Sequence, residues 1–425
     1  VIPDDSMIRQ HVLPNGLTLL TESMPNIRSV TLGVWLKQGS RHETEAENGI
    51  SHFIEHLVFK GTERRSAQEI AKTIDRMGGG CDAFTSKEFT CFYARTLDEH
   101  VPVAFDLLSD IVLHPRFDPD LIEKERKVIF EEIKMVEDSP DELVYDLFTE
   151  TIWKDHPLGR PIQGTVESVA ALGAGKLGEF FRSSYTPGNV VISAAGNLDH
   201  DHLVDLAGSA FSALAPGNGV RPITPPGHRA AIVTREKPDL EQLHLCLGVP
   251  AYANDDPDRY VGFVLNTILG GAMSSRLFQK IREDRGLAYT VYSSISSFAD
   301  TGFFAVYAAT RPGGAGELIE SICGELAEVK ARDVDASELE GARDHIKGSL
   351  MLSLESSSSR MSNLARQHVY FGRQFELDEI IAGIDAVTGE AVRSLAGRLL
   401  DDRRVTMAVL GRLDGLNISA GDISF

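Results

Sequence analysis

Asn189-Val190-Val191-Ile192-Ser193-Ala194-Ala195-Gly196-Asn197-Leu198-Asp199 returns 215 residues later as Arg404-Val405-Thr406-Met407-Ala408-Val409-Leu410-Gly411-Arg412-Leu413-Asp414. Nearer the front of each half, Val30, Leu32, Val34 and Leu36 alternate as a strand does, and Leu243, Leu245, Leu247 and Val249 repeat the pattern at an offset of 213. Between these markers, Asp118 to Ile133 has a counterpart in Asp335 to Leu350 at an offset of 217. Three markers at nearly one offset imply two copies of one domain rather than a solenoid of short units. A Pro/Gly-rich run, Ala215-Pro216-Gly217-Asn218-Gly219 to Pro225-Pro226-Gly227, reads as the linker between them. The expected organisation is an N-terminal domain over residues 1–214, a linker over 215–230 and a C-terminal domain over 231–425.

Each half mixes strands with long helices. Asn15-Gly16 between apolar runs signals an early hairpin, and Phe92-Tyr93-Ala94 and Phe303-Phe304-Ala305-Val306-Tyr307 read as later strands. Helices are expected over Val101 to Val112 and Leu318 to Val329. Strands and helices do not alternate one for one, which predicts an α+β fold, a sheet layered with helices, and not a doubly wound one.

The chemistry concentrates in His52-Phe53-Ile54-Glu55-His56. On a helix advancing about 100° per residue, His52, Glu55 and His56 share one arc, and Phe53 and Leu57 form an apolar stripe beside it. Two neutral imidazoles suit Zn²⁺, and a nearby unligated carboxylate can take a proton from a water that the metal acidifies, so Glu55 is the candidate base. Two histidines beside a glutamate on an ordinary amphipathic helix is the plainer alternative. A catalytic zinc needs a third protein ligand, and the charged helix expected over Leu121 to Glu137 offers one. Glu125 and Glu132 are seven residues apart and project from one face, while Glu131 points elsewhere. A solvated charge face is the other reading of that helix.

These residues resemble the inverted-motif zinc peptidases (inverzincins) of the pitrilysin and mitochondrial processing peptidase type, which carry H-x-x-E-H. Glu132 follows His56 by 76 residues, the spacing at which that family places its third ligand. The resemblance implies one Zn²⁺ per chain held by His52, His56 and Glu132, with Glu125 supporting the ligand shell. At the repeat offset Glu125 falls on Ala342 and Glu132 on Ser349, and the second half has no H-x-x-E-H, so only the first half can hold the metal. The family further implies two homologous halves facing each other across a chamber in which substrate touches both.

Gly78-Gly79-Gly80-Cys81-Asp82-Ala83-Phe84-Thr85-Ser86 resembles the family's edge strand, along which an extended substrate adds its backbone to the sheet. Asp82, Ala83, Phe84 and Thr85 are thereby candidate substrate-binding residues; a glycine turn entering an ordinary strand is the structural alternative. Asp82 stands where the family often has asparagine, so an amide donor is missing there. Arg282 and Tyr289 match an arginine and tyrosine seven residues apart in the pitrilysin branch, where they reach toward the scissile peptide, and a cation and phenol could stabilise its oxyanion. An arginine near a helix end and a tyrosine in the next strand are also ordinary structural features. Gly270-Gly271-Ala272 lacks the G-K-[ST] ending of a phosphate loop.

Composition bounds the rest. The chain has 425 residues, 42 % apolar and 24 % charged, with a formal net charge of −20, which argues against a nucleic-acid partner and suits cationic peptides. No uninterrupted apolar run is long enough for a membrane span. The acidic start, with Met7 as the expected native first residue, lacks a secretion-signal pattern and favours the cytoplasm. Cys81, Cys91, Cys246 and Cys323 form no C-x-x-C pair and read as buried free thiols. The expected activity is a zinc metalloendopeptidase on extended peptides or unfolded polypeptide, working as a homodimer or beside an inactive homologue. A non-catalytic, substrate-holding subunit of a heterodimeric processing peptidase is the alternative.

Overall fold

The computed structural model describes residues 7–217 and 219–425; the start segment 1–6 and linker residue 218 lie outside the described residues. One sheet contains β1 (Ile8–Val12), β2 (Thr18–Ser23), β3 (Ser29–Leu36), β4 (Gly80–Thr85), β5 (Thr90–Leu97) and β6 (Val190–Gly196) in the order β1-β2-β6-β3-β5-β4. The other contains β7 (Ala231–Glu236), β8 (Leu243–Ala251), β9 (Ala288–Ser297), β10 (Gly302–Thr310) and β11 (Thr406–Gly411) in the order β7-β11-β8-β10-β9. In each sheet a single parallel pair, β2 with β6 or β7 with β11, is followed by antiparallel neighbours. The duplication read from the sequence is thus a duplication of topology, and the fold is α+β. β1 is the added strand of the first copy, formed by the hairpin at Asn15-Gly16.

The repeated stretch explains its own glycine. Gly196 and Gly411 end the two equivalent strands at φ 135° and 138°, and a Cβ would lie 2.2 Å from the Ser29 carbonyl oxygen at the first and 2.7 Å from that of Gln242 at the second. Only glycine combines that dihedral with so close a backbone approach.

The helices that matter here are α1 (Ile50–Val58), α2 (Val101–Leu113), α3 (Pro119–Asp138), α4 (Pro140–Ile152), α5 (Ala315–Ala331) and α6 (Ser357–Phe371). α1 and α2 cover one face of the first sheet, where Val30, Leu32, Val34 and Leu36 meet Phe53, Leu57, Leu107 and Ile111. α5 does the same in the second copy, with Leu318 and Ile322 in one core with Leu243, Leu245, Leu247 and Val249. The alternation expected of β3 and β8 is therefore real, although both strands are buried on both faces because a further helix covers the far side.

Those far-side helices are exchanged between the halves. The chain forms two compact units, one made of residues up to Lys134, Arg160–Ile223 and Leu352–Gln374, the other of Met135–Gly159, Thr224–Met351 and Phe375–Phe425. α6, from the second half of the sequence, packs Met361, Leu364 and Ala365 on Leu20, Trp35, Cys91 and Val191 of the first sheet. α4, its counterpart at the repeat offset, packs Leu143, Val144, Phe148 and Ile152 on Cys246, Phe303, Ala408 and Leu410 of the second. Among the described residues no helix is long and apolar enough to cross a membrane. All four cysteines are free; Cys91, Cys246 and Cys323 are buried and Cys81 is half-buried.

Candidate metal centre

α1 divides its surface as the sequence predicts. Phe53, Ile54, Leu57 and Val58 are buried in the core, which turns His52, Glu55 and His56 along the other side, each partly accessible. α3 lies against it through Arg126, whose guanidinium covers the Phe53 ring at 5.5 Å and whose Nη2 donates to the Leu172 carbonyl at 2.8 Å. That anchorage presents Glu125 and Glu132 to α1, while Glu131 turns to solvent and pairs with Lys134.

Glu132 Oε2 is 3.4 Å from His56 Nε2 and 3.7 Å from His52 Nε2, and one donor atom from each of the three residues lies within 4.8 Å of the others. Both separations are long for a hydrogen bond. They match two ligands of one tetrahedral zinc, which at about 2.1 Å from the ion stand about 3.4 Å apart. Burial, with the neighbouring His56 charge second, pushes the His52 imidazole down to about 4, so near neutrality it is uncharged and can offer a lone pair. The nitrogen–nitrogen–carboxylate donor set fits Zn²⁺.

Behind this group, Glu125 is buried, with Oε2 3.4 Å from His56 Nδ1 and Oε1 paired to Lys60 Nζ at 3.0 Å. A carboxylate there holds the ring so that its other nitrogen faces Glu132. Sequence reasoning missed Lys60, for which a lone lysine after a helix carries no signal. His52 Nδ1 is buried without a hydrogen-bond partner among the described residues.

Glu55 stands on the same arc. Its carboxyl is raised above the ordinary glutamate range chiefly by burial, opposed first by the Thr85 hydroxyl, which donates to Oε2 at 2.5 Å. Thr85 ends β4, the edge strand of the sheet, and its side chain therefore turns to the candidate base. Along β4, Gly80, Asp82 and Phe84 are exposed and alternate with half-buried residues. Asp82 Oδ1 accepts the Ala83 N–H at 2.8 Å, so this carboxylate engages its own strand's backbone. Phe84 packs edge-on to Trp35 at 5.7 Å.

Arg282 and Tyr289 belong to the second unit and touch: the guanidinium lies 4.5 Å from the centre of the Tyr289 ring and 4.7 Å from that of Phe278. Arg282 sits in a wide helical turn, Phe278–Asp284, with π-type bonding, and Tyr289 on edge strand β9 is 73 % exposed.

A duplicated α+β fold with an inverted His-x-x-Glu-His group and a distant glutamate defines the class of inverted-motif zinc peptidases. Residues 18–166 match the family described as Insulinase (Peptidase family M16), and residues 171–346 match the Peptidase M16 inactive domain. The chain belongs to the M16 peptidase family. It is 44 % identical over 396 residues to the uncharacterized zinc protease YmxG of Bacillus subtilis, covering 93 % of this chain and 96 % of the relative. It is 41 % identical over 413 residues to the uncharacterized zinc protease SCO5738 of Streptomyces coelicolor, covering 96 % and 90 %. Its fold is shared with a protease from Helicobacter pylori, at a TM-score of 0.89 and 23 % identity over 95 % of this chain and 99 % of that one. A chain of complex III2 from Candida albicans has a TM-score of 0.84 at 22 % identity, covering 98 % of this chain and 100 % of that one. The description of the second domain as inactive agrees with the absence of H-x-x-E-H from that half.

Proposed function

We propose that this protein is a zinc-dependent endopeptidase that cleaves extended peptides or unfolded polypeptide segments. The observation that carries the reading is the convergence of His52, His56 and Glu132 beside a half-buried Glu55 that is hydrogen-bonded to the end of an edge strand. Those three side chains would hold zinc, which would supply Lewis acidity toward the peptide carbonyl and acidify a water beside Glu55. Glu55 accepts a proton from that water at Oε1 or Oε2 and returns it to the leaving amide nitrogen, with its raised affinity for protons suiting both transfers. Thr85 holds Glu55 in place, and Glu125 holds His56. Extended substrate pairs its backbone along β4, which gives affinity with little sequence choice, and the net charge of −20 suits cationic peptides. Arg282 and Tyr289 are assigned to the oxyanion, supported by their contact and by the accessibility of the phenol. Residues 1–214 form the catalytic domain and 231–425 a non-catalytic homologue, joined by the linker 215–230, and the chain works as a dimer of identical chains or beside an inactive relative.

The alternative, a non-catalytic substrate-holding subunit, is disfavoured because no ligand position has been lost. The deciding measurement is cleavage of a quenched, unstructured basic peptide by wild type and Glu55→Gln, with bound zinc counted in both. Cleavage by the wild type alone, at equal zinc content, supports the assignment. Equal zinc and no cleavage by either means that the chain needs a partner to complete its chamber or is the non-catalytic subunit, and cleavage that returns with the partner but not with Glu55→Gln separates the two.

A further inference from the structure

The helix that presents both histidines is short, and its first turn is held from outside. α1 has nine residues, and His52 is the third of them, inside the turn whose backbone N–H groups have no partner within the helix. The residue at the N-cap position is Gly49, which has no side chain to accept from them. Glu43 does so instead. Its side chain is buried, and its carboxylate accepts the Gly49 N–H on Oε2 at 2.8 Å and the Ser51 N–H on Oε1 at 2.9 Å. Asn48 Nδ2 lies 3.4 Å from Oε2 and donates to the Pro161 carbonyl at 3.0 Å, and Arg160 Nη1 reaches the Glu43 carbonyl oxygen at 3.3 Å. One buried carboxylate thus holds the start of α1, while Asn48 and the Glu43 backbone tie the same place to the 160–161 segment, and a negative charge at a helix N-terminus is favourable in itself.

We propose that Glu43 is a positioning residue for the metal centre, fixing the first turn of α1 so that His52 meets His56 and Glu132 at ligand spacing. The inference rests on the reading of those three residues as the zinc site. Without Glu43 two backbone donors are left unpaired in a buried place, and the cheapest relief is for the first turn to fray. Glu132 and His56, on α3 and in the second turn, are untouched by that fraying. The loss therefore appears as weakened metal binding and not as a general loosening. Gln at this position keeps the length but offers one oxygen where two N–H donors need acceptors.

The test is the zinc dissociation constant of the full chain, stripped and refilled, measured by competition with a chromophoric chelator for the wild type, Glu43→Gln, Glu43→Asp and the core control Leu203→Ala. Leu203 is fully buried in the same core, on the helix His200–Phe211 that packs on α2 and β2. The expected result is at least a tenfold weaker zinc affinity in Glu43→Gln, a smaller loss in Glu43→Asp, and a Leu203→Ala value within twofold of the wild type. Glu43→Asp carries the comparison if Glu43→Gln does not fold, because it keeps the charge and withdraws it from the two donors. Glu43 variants within twofold of the wild type, or a control weakened as much as they are, overturn the positioning role alone. A wild type that takes up no zinc overturns the zinc reading with it.

Discussion

The Thr85 hydroxyl donates to Glu55 Oε2 at 2.5 Å, tying the last residue of the edge strand to the candidate base on α1. A carboxylate that must receive and return a proton gains from a fixed orientation, and this bond supplies it across elements 30 residues apart in sequence. Thr85→Val keeps the shape and removes the donor. It is expected to lower kcat about tenfold, roughly 1.4 kcal/mol of transition-state stabilisation, with KM and zinc content little changed. Thr85→Ser is expected to restore the rate. A KM effect at constant kcat would place Thr85 with the substrate instead.

Glu125 bridges His56 Nδ1 and Lys60 Nζ and is itself buried. Its replacement by Gln should weaken zinc affinity by about 10–100-fold, the usual consequence of losing a group that orients a ligating imidazole. Glu131→Gln, on the solvent side of the same helix, should leave affinity unchanged. Equal affinities in Glu125→Gln and wild type would remove Glu125 from the ligand shell.

In the metal-free protein, the pH dependence of stability should be a contest between opposite signs. Burial pushes His42 and His52 each down to about 4, so the unfolded chain takes up protons below about pH 6.5 that the folded chain refuses, and stability falls on acidification toward pH 4. Burial pushes Glu43 up to about 7, so here the folded chain binds the proton first, and stability rises as pH falls from 7 toward 4.5, by about 3 kcal/mol in all. Glu43→Gln cannot titrate. Its thermal midpoint, followed with chelator present from pH 7.5 to 5, should therefore drop more steeply than that of the wild type, and parallel profiles would show that Glu43 is ionised over the whole range.

Phe148 comes from the first half of the sequence yet is fully buried against the second sheet, 5.2 Å from Phe303 by ring centres and within van der Waals reach of Gly248. Phe148→Ala should cost about 3–5 kcal/mol, felt by the second unit. Amide exchange should rise in β8 and β10 and not in β3 and β5. The opposite pattern would contradict the exchange of α4.

The sequence alone determined whatever depends on local spacing or on repetition. His52, Glu55 and His56 fall on one helical arc because the α-helix has a fixed period, β3 and β8 alternate because side chains do, and the duplicated halves show in repeats such as the pair ending at Gly196 and Gly411, whose backbone admits no other residue. Glu132 was legible through a resemblance in spacing. The tertiary structure alone decided which distant groups serve these residues. Nothing local tells that the acid at 43 is buried under Gly49 and Ser51, that Thr85 turns to Glu55, or that Lys60 pairs with Glu125. Nor does local pattern reveal that α4 and α6 trade places, since either helix has an apolar face that would suit either sheet. Hydrophobic burial is non-directional and tolerates many partners, so only the complete packing selects which helix covers which sheet and which polar groups are carried inside with it.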